Sequence, residues 1–331
     1  MAILVTGAAG FIGYHVSRAL LARGEQVVGI DNLNPYYDPT LKQDRLRALE
    51  GLGADFVFHQ VDFADHEALE SALRPHALDR IVHLGAQAGV RYSIDNPRAY
   101  LKSNLAGHLN LLEIARHVGA AHFVYASSSS VYGGNRKLPF SIEDRTDHPI
   151  SLYAATKKAD ELMSETYAHL YRLPATGLRF FTVYGPWGRP DMAMWIFARK
   201  ILAGEPIQVF NHGKMRRDFT YIDDIVAGVV ACLDRPPQAG SPVGEEAGAA
   251  PHRVYNLGNS RAEELTHMIA LLERACGRSA ELELLPMQPG DVAETFADIR
   301  AAEQDLGFRP ATTIEAGIPN FVNWYRRYHD A

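Results

Sequence analysis

Three glycines at a spacing of three, Gly7, Gly10 and Gly13, stand directly behind the apolar run Ile3-Leu4-Val5. An apolar helical pattern follows through Val16, Leu20 and Leu21. A short apolar run reads as a buried strand, so the glycines occupy a strand-to-helix turn. Glycine there lets the backbone approach a pyrophosphate and lets the helix pack on the strand. The helix N-terminus then offers free N–H groups and partial positive charge to the phosphates. A second strand, Gln26 to Ile30, ends in Asp31. A carboxylate at that place can accept hydrogen bonds from both hydroxyls of an adenosine ribose, and no Arg or Lys follows Asp31 before Lys42 to meet a 2′-phosphate. The stretch therefore reads as an NAD site rather than an NADP site.

The rest of the chain is compatible with that start. Its 331 residues allow two domains, or one large domain with an appendage. A net charge of −6 suggests no nucleic-acid partner. Cys232 and Cys276 lie far apart with no neighbouring histidine cluster, which supports neither a disulfide framework nor a metal site. No run of 18 apolar residues occurs, and the first strand begins too early for a leader or anchor. The expectation is a soluble cytoplasmic protein.

Strand and helix patterns alternate. Strands are expected over Asp55 to Val61, Arg80 to Leu84, His122 to Ala126 and Gly177 to Phe181. Helices are expected over Leu41 to Leu52, with Lys and Arg on its open side, His66 to Leu73, Pro97 to Val118 and Tyr153 to Tyr171. Such alternation predicts an α/β fold with a Rossmann-type, doubly wound parallel sheet. Asp62 and Phe63, after the third strand, fall near an adenine edge, although Asp62 also suits the N-cap of the next helix. Leu84 and Ala86, after the fourth strand, leave room for a cofactor ribose. Asn104 falls within a helix, where it is either exposed or braces the next strand. After Thr182 the pattern changes. Residues 1–185 are expected to hold the dinucleotide, with returning segments around 219–257. Residues 186–331 would form a smaller mixed α/β substrate domain. Pro236 to Pro251 reads as a mobile surface loop. Thr312 and Glu315 read as a capping box for the last helix.

Tyr153 and Lys157 sit four apart at the start of a helix, on one face. A phenol titrates near ~10 unperturbed, and a nearby ammonium favours the phenolate. Such a phenolate can take a proton from a sugar hydroxyl while hydride leaves the same carbon. The serines Ser127 to Ser130 follow the preceding strand, at the carboxyl edge of the sheet where the cofactor is expected.

These motifs together resemble the extended short-chain dehydrogenase/reductases, specifically their nucleotide-sugar epimerases. The resemblance rests on Thr6-Gly7-Ala8-Ala9-Gly10-Phe11-Ile12-Gly13, Asp31-Asn32, Ser128 ahead of Val131-Tyr132-Gly133, Tyr153 with Lys157, and Arg217-Asp218-Phe219. It implies NAD held by Gly7, Gly10, Phe11, Ile12, Gly13, Asp31, Asn32, Asp62, Phe63, Leu84, Ala86 and Asn104 as well as by Tyr153 and Lys157. It also implies Tyr153 as base, Ser128 on the reacting hydroxyl, Lys157 on the nicotinamide ribose and Arg217 on the substrate pyrophosphate. The family's habit of pairing its two long helices implies a homodimer.

Further stretches are similar to the UDP-glucuronate 4-epimerases: Asn34-Pro35-Tyr36-Tyr37-Asp38, Gly89-Val90-Arg91-Tyr92-Ser93, Thr182 through Pro190, and Met287-Gln288-Pro289-Gly290-Asp291. A sugar acid needs a cation or several donors at its carboxylate. Arg189 is the first candidate, with Thr182, Ser129 and Ser130 as further donors and Arg91 as a weaker one; Asp291 belongs to the same substrate set. Dehydratases and decarboxylases of the family carry an acid where Ser130 stands, which argues against dehydration and, less firmly, against decarboxylation. The implied reaction is C4 epimerisation of UDP-glucuronate to UDP-galacturonate through a 4-keto sugar. A 4-epimerase of a neutral or N-acetylated UDP-hexose, and a UDP-glucuronate decarboxylase, stay open.

Overall fold

The computed structural model describes residues 1–239, 249–288 and 291–330. The expected loop Pro236 to Pro251 lies largely outside the described residues, as do two positions of the Met287–Asp291 stretch.

Seven parallel strands form the central sheet. Six are β1 (Ala2–Thr6), β2 (Gln26–Asp31), β3 (Phe56–Gln60), β4 (Leu78–His83), β5 (His122–Ser128) and β6 (Ala175–Phe180). The strand His252–Leu257 joins the edge beside β6, giving the order His252–Leu257, β6, β5, β4, β1, β2, β3. The chain winds outward from β1 through β2 to β3, then returns to place β4 on the other flank of β1. That reversal opens a crevice at the carboxyl ends of β1 and β4, where ligands bind in doubly wound sheets.

The strands are apolar on both faces because helices cover both. Ile3, Val5, Val27, Val82 and Val124 pack with the helices Phe11–Ala22 and Ile222–Leu233. Leu4, Val28, Ile81 and Phe123 face the other way, against Leu69, Leu73, Leu111, Leu112 and Ala115. Smaller sheets follow β6. Thr182–Tyr184 pairs with Phe219–Tyr221, Ile207–Val209 with Leu282–Leu284, and Arg216–Arg217 lies between Glu263–Glu264 and Glu294–Thr295.

Four local expectations change. The run from Pro97 to Val118 carries a π-helical segment, Leu101–Ala106, between two α-helical pieces. Asp65 rather than Asp62 caps the His66–Leu73 helix, its side chain accepting from the Ala68 N–H. The last helix, Ile314–His329, starts after Thr313 rather than Thr312 and has no side-chain cap. The helix Thr40–Glu50 does not keep its basic residues on an open side, since Lys42 and Arg45 are buried.

Candidate active site

Close approach dictates glycine at the turn after β1. Gly7 adopts φ +67°, and a Cβ there would come within 2.8 Å of the Gly85 backbone. A Cβ on Gly13 would lie 2.0 Å from the Gly7 carbonyl oxygen. Thr6 locks the ends of β1 and β4 together: its hydroxyl oxygen accepts from the Gly85 N–H at 2.9 Å and lies 2.7 Å from His83 Nδ1. The resulting cleft encloses about 1290 Å³, counting space open to solvent. Gly7, Gly10, Phe11, Ile12, Gly13, Asp31, Asn32, Phe63, Leu84 and Ala86 all line it. Exposed backbone at the glycines, and a buried carboxylate at Asp31, are what a dinucleotide's pyrophosphate and ribose require.

Two expected cofactor residues do not line the cleft. Asp62 accepts from the Ala64 N–H and pairs with Lys102 at 2.8 Å. Asn104 is buried and acts as a brace. Its oxygen accepts from the Gln87 N–H at 2.8 Å, and its amide donates to the Gln87 carbonyl and to Thr156 Oγ1. It therefore fixes the loop after β4 to the helix that bears the tyrosine.

That helix, Leu152–Tyr171, begins where the Ser151 hydroxyl oxygen accepts from the Ala154 N–H, which sets Tyr153 in the first turn. Tyr153, Lys157 and Ser128 all line the cleft. The Lys157 ammonium donates to the Ala126 carbonyl at 2.9 Å and to Asp160 Oδ2 at 3.0 Å. Ser128 donates to Ser130 Oγ at 3.1 Å, and its own oxygen accepts from the Ser130 N–H. Ser129 and Ser130 form the short helical turn behind Ser128 and do not line the cleft. Ser127 is committed to the interior, donating to Glu161 Oε1 at 2.7 Å.

Arg189 lines the same cleft. Its Nε and one terminal nitrogen grip Asp191 at 3.0 and 2.5 Å, and Tyr36 donates to the same carboxylate at 3.1 Å. Burial works against the Arg189 charge, but Asp191, Tyr36 and Tyr153 outweigh it, so the guanidinium is more firmly protonated than usual. Thr182 lines an adjoining pocket that shares Phe11, Val183, Arg189 and Met192 with the main cleft. Arg217, Asp291 and Arg91 form a cluster of their own, off the residues lining these two pockets. Arg217 donates to Asp291 Oδ1 at 2.7 Å, and Arg91 lies over the Phe210 ring, 3.9 Å from Asp291. Burial lowers Arg217 from its ordinary value, with Asp291 opposing. A cation with that deficit gains from an added anion.

Several residues at the site escape a reading by sequence. Lys42 lines the cleft 3.6 Å from Asp31 and donates to Asn34 through both its carbonyl and its side chain. Arg45, fully buried, donates to the carbonyls of Ala9, Trp187 and Gly188 and to the Tyr37 hydroxyl. Their signal was positional: Lys42 and Arg45 share one helical face with Leu46 and Leu49. Under the serines, Glu161 and Arg179 make a buried two-point pair at 2.8 and 2.9 Å, and Arg179 also donates to the Tyr132 hydroxyl. Nothing in their spacing announces it.

A parallel sheet with a glycine cradle at its switch point and a tyrosine–lysine helix beside it defines a dinucleotide-dependent enzyme fold. Residues 3–258 match the model of the NAD dependent epimerase/dehydratase family. The chain belongs to that family, and NAD is its cofactor. It is 49% identical over 332 residues to UDP-glucuronate 4-epimerase 4 of Arabidopsis thaliana, covering 99% of this chain and 76% of that protein. A crystal structure of UDP-glucuronic acid 4-epimerase from Bacillus cereus, in complex with UDP-glucuronic acid and NAD, superposes with a TM-score of 0.89. It is 34% identical, and the match covers 99% of this chain and 100% of the other. The UDP-glucose 4-epimerase of Thermotoga maritima with UDP-glucose gives a TM-score of 0.86 at 31% identity, over 99% and 100% of the two chains.

Proposed function

We propose that the protein interconverts UDP-glucuronate and UDP-galacturonate by NAD-dependent epimerisation at C4. The observation that carries this reading is Arg189, which lines one cleft with Ser128, Tyr153 and Lys157. Residues 1–185 hold the dinucleotide, with Asp31 at its adenosine ribose, and residues 186–331 supply most of the nucleotide-sugar contacts. Arg217 meets the pyrophosphate, with Asp291 and Arg91 beside it.

NAD, when bound, takes a hydride from C4 and later returns one to it. Tyr153 removes the O4 proton in the first half-reaction and gives it back in the second. Ser128 holds that oxygen by a hydrogen bond, and Lys157, on the same helix face, offers a positive charge against the negative charge that develops on the phenol oxygen. Between the two steps the 4-keto sugar must turn over in place. A 4-keto glucuronate is a β-keto acid and loses carbon dioxide when its C5–C6 bond aligns with the carbonyl π system. Arg189, with Thr182 of the adjoining pocket as a further donor, holds the carboxylate and keeps that bond out of alignment.

A neutral UDP-hexose is a second reading with a specific observation behind it: Asp191 already neutralises Arg189. Incubating the purified protein with UDP-glucuronate and with UDP-glucose, and following products by NMR, separates the two. Conversion of the acid is expected; turnover of the neutral sugar alone overturns the first reading. Arg189→Ala is expected to slow UDP-glucuronate turnover by 10-fold or more, about the worth of one charge-assisted contact, and to release carbon dioxide. Unchanged kinetics remove Arg189 from the site.

We also infer a homodimer. Leu101 and Leu109, on the run from Pro97 to Val118, and Leu162 and Leu170, on the neighbouring helix, stand 42 to 60% exposed. Large apolar side chains concentrated on two adjoining helices suit a partner copy. No helix among the described residues is long and apolar enough to cross a membrane. We infer a cytoplasmic location, in keeping with a water-soluble UDP-sugar substrate.

A further inference from the structure

Asp160 is fully buried, one helical turn beyond Lys157, and does not line the cleft. Its Oδ2 accepts from the Lys157 ammonium at 3.0 Å, while its Oδ1 is buried with no hydrogen-bond partner. A carboxylate so poorly satisfied is costly to keep in a protein interior unless a charge beside it compensates.

The surroundings leave Lys157 as that charge. From β4 and the helix Gly107–Val118 come His83 and His108, both pushed far below their ordinary value, chiefly by burial, and therefore neutral. Tyr125 of β5, pushed upward by burial, is a neutral phenol. On the same helix stand Tyr153, Lys158 and Glu161. Glu161 is taken up by Arg179 of β6 and by Lys158 at 3.1 Å. Lys157 and Asp160 thus form a separate pair whose charges cancel. Two of the three ammonium donors are spent on Ala126 and Asp160, which leaves one for the cleft.

We propose that Asp160 is a positioning residue for the epimerase reaction. It fixes the Lys157 ammonium and cancels part of the positive field that Lys157 projects onto Tyr153, and so it sets the pH at which the enzyme switches on. This rests on Tyr153 being the base. Tyr153 also faces the Arg189 guanidinium and the Tyr100 ring, neither of which changes charge with Asp160. Against that fixed background, the pair presents no net charge to the phenol with Asp160 ionised; with Asp160 neutral, it presents one positive charge and favours the phenolate. Burial pushes the Asp160 carboxyl up to about 6, against the pull of Lys157. Its charge is therefore open to change in mildly acidic solution.

The test uses NAD-loaded enzyme and UDP-glucuronate. Asp160→Asn preserves shape and the bond to Lys157 while removing the charge. The acid limb of kcat against pH is expected to move down by about one pH unit, with KM changed less than about twofold. If Asp160→Asn does not fold, Asp160→Ser is read the same way. An unmoved limb in a folded, active variant overturns the proposal, as does a limb moved upward. A merely structural role would lower kcat at every pH and leave the limb in place. Tyr153→Phe run alongside tests the underlying reading: full activity there removes the base assignment, whereas an inactive Tyr153→Phe with an unmoved Asp160→Asn limb removes only the role of Asp160.

Discussion

At the scale of single residues, the site rests on buried charged groups whose hydrogen bonds are taken up inside the protein. Glu161 and Arg179 are 3 and 4% exposed. They carry Ser127 on one side and the Tyr132 hydroxyl on the other. Arg179→Met removes the two-point partner and leaves the buried Glu161 carboxylate with only the partly exposed Lys158 and the Ser127 hydroxyl. Urea unfolding is expected to show a loss of about 3 kcal/mol, the low end for a broken buried pair. Loss within experimental error would mean that the serine strand holds its shape without the pair. Ser127 is the residue where sequence and structure differ most instructively. In sequence it is one serine among four. In the fold both Ser127 and Ser128 line the cleft, but the Ser127 hydroxyl is spent on Glu161.

At the scale of elements, the turn after β1 and the segment that includes Asp218 are the most tightly determined. Gly13→Ala would place a methyl carbon 2.0 Å from the Gly7 carbonyl oxygen. The turn must open. Purified Gly13→Ala is expected to carry little or no NAD, read by absorbance and mass spectrometry of the isolated protein. Asp218, fully buried, accepts from the backbone N–H groups of Asn259, Ser260 and Ala297 and from the Thr220 hydroxyl. Asp218→Asn sets an amide against those donors and is expected to cost about 2–4 kcal/mol in urea unfolding. The cradle glycines and Asp31 were readable because their spacing repeats a chemical requirement. The Asp218 contacts were not, since three of its partners lie more than 40 positions ahead in the chain. The π-helical segment around Asn104 had no signature either. The sequence leaves Asn104 either exposed or a brace, and its bonds to the Gln87 backbone and Thr156 make it a brace.

At the scale of the molecule, the alternation of apolar runs made the doubly wound sheet legible, down to Asp31 at the end of β2. What could not be read was which later segment returns to the sheet. His252–Leu257 pairs with β6, whereas Phe219–Tyr221 pairs with Thr182–Tyr184 outside it. Both are short apolar runs, and only tertiary packing distinguishes them. Surface leucines bear on assembly in the same way. Leu162→Asp is expected to yield monomers by light scattering, because burying an unpaired carboxylate at a two-fold contact is repeated in each copy. A variant that stays dimeric would place the contact elsewhere.

One guanidinium joins three distant parts of the chain. Arg45 holds the carbonyl of Ala9 in the glycine turn, the Tyr37 hydroxyl, and the carbonyls of Trp187 and Gly188 next to Arg189. The glycine turn and the loop that carries Arg189 therefore hang from the same peg. On the proposed reading, a shift of the turn that cradles the coenzyme is passed to the loop that would hold the sugar carboxylate.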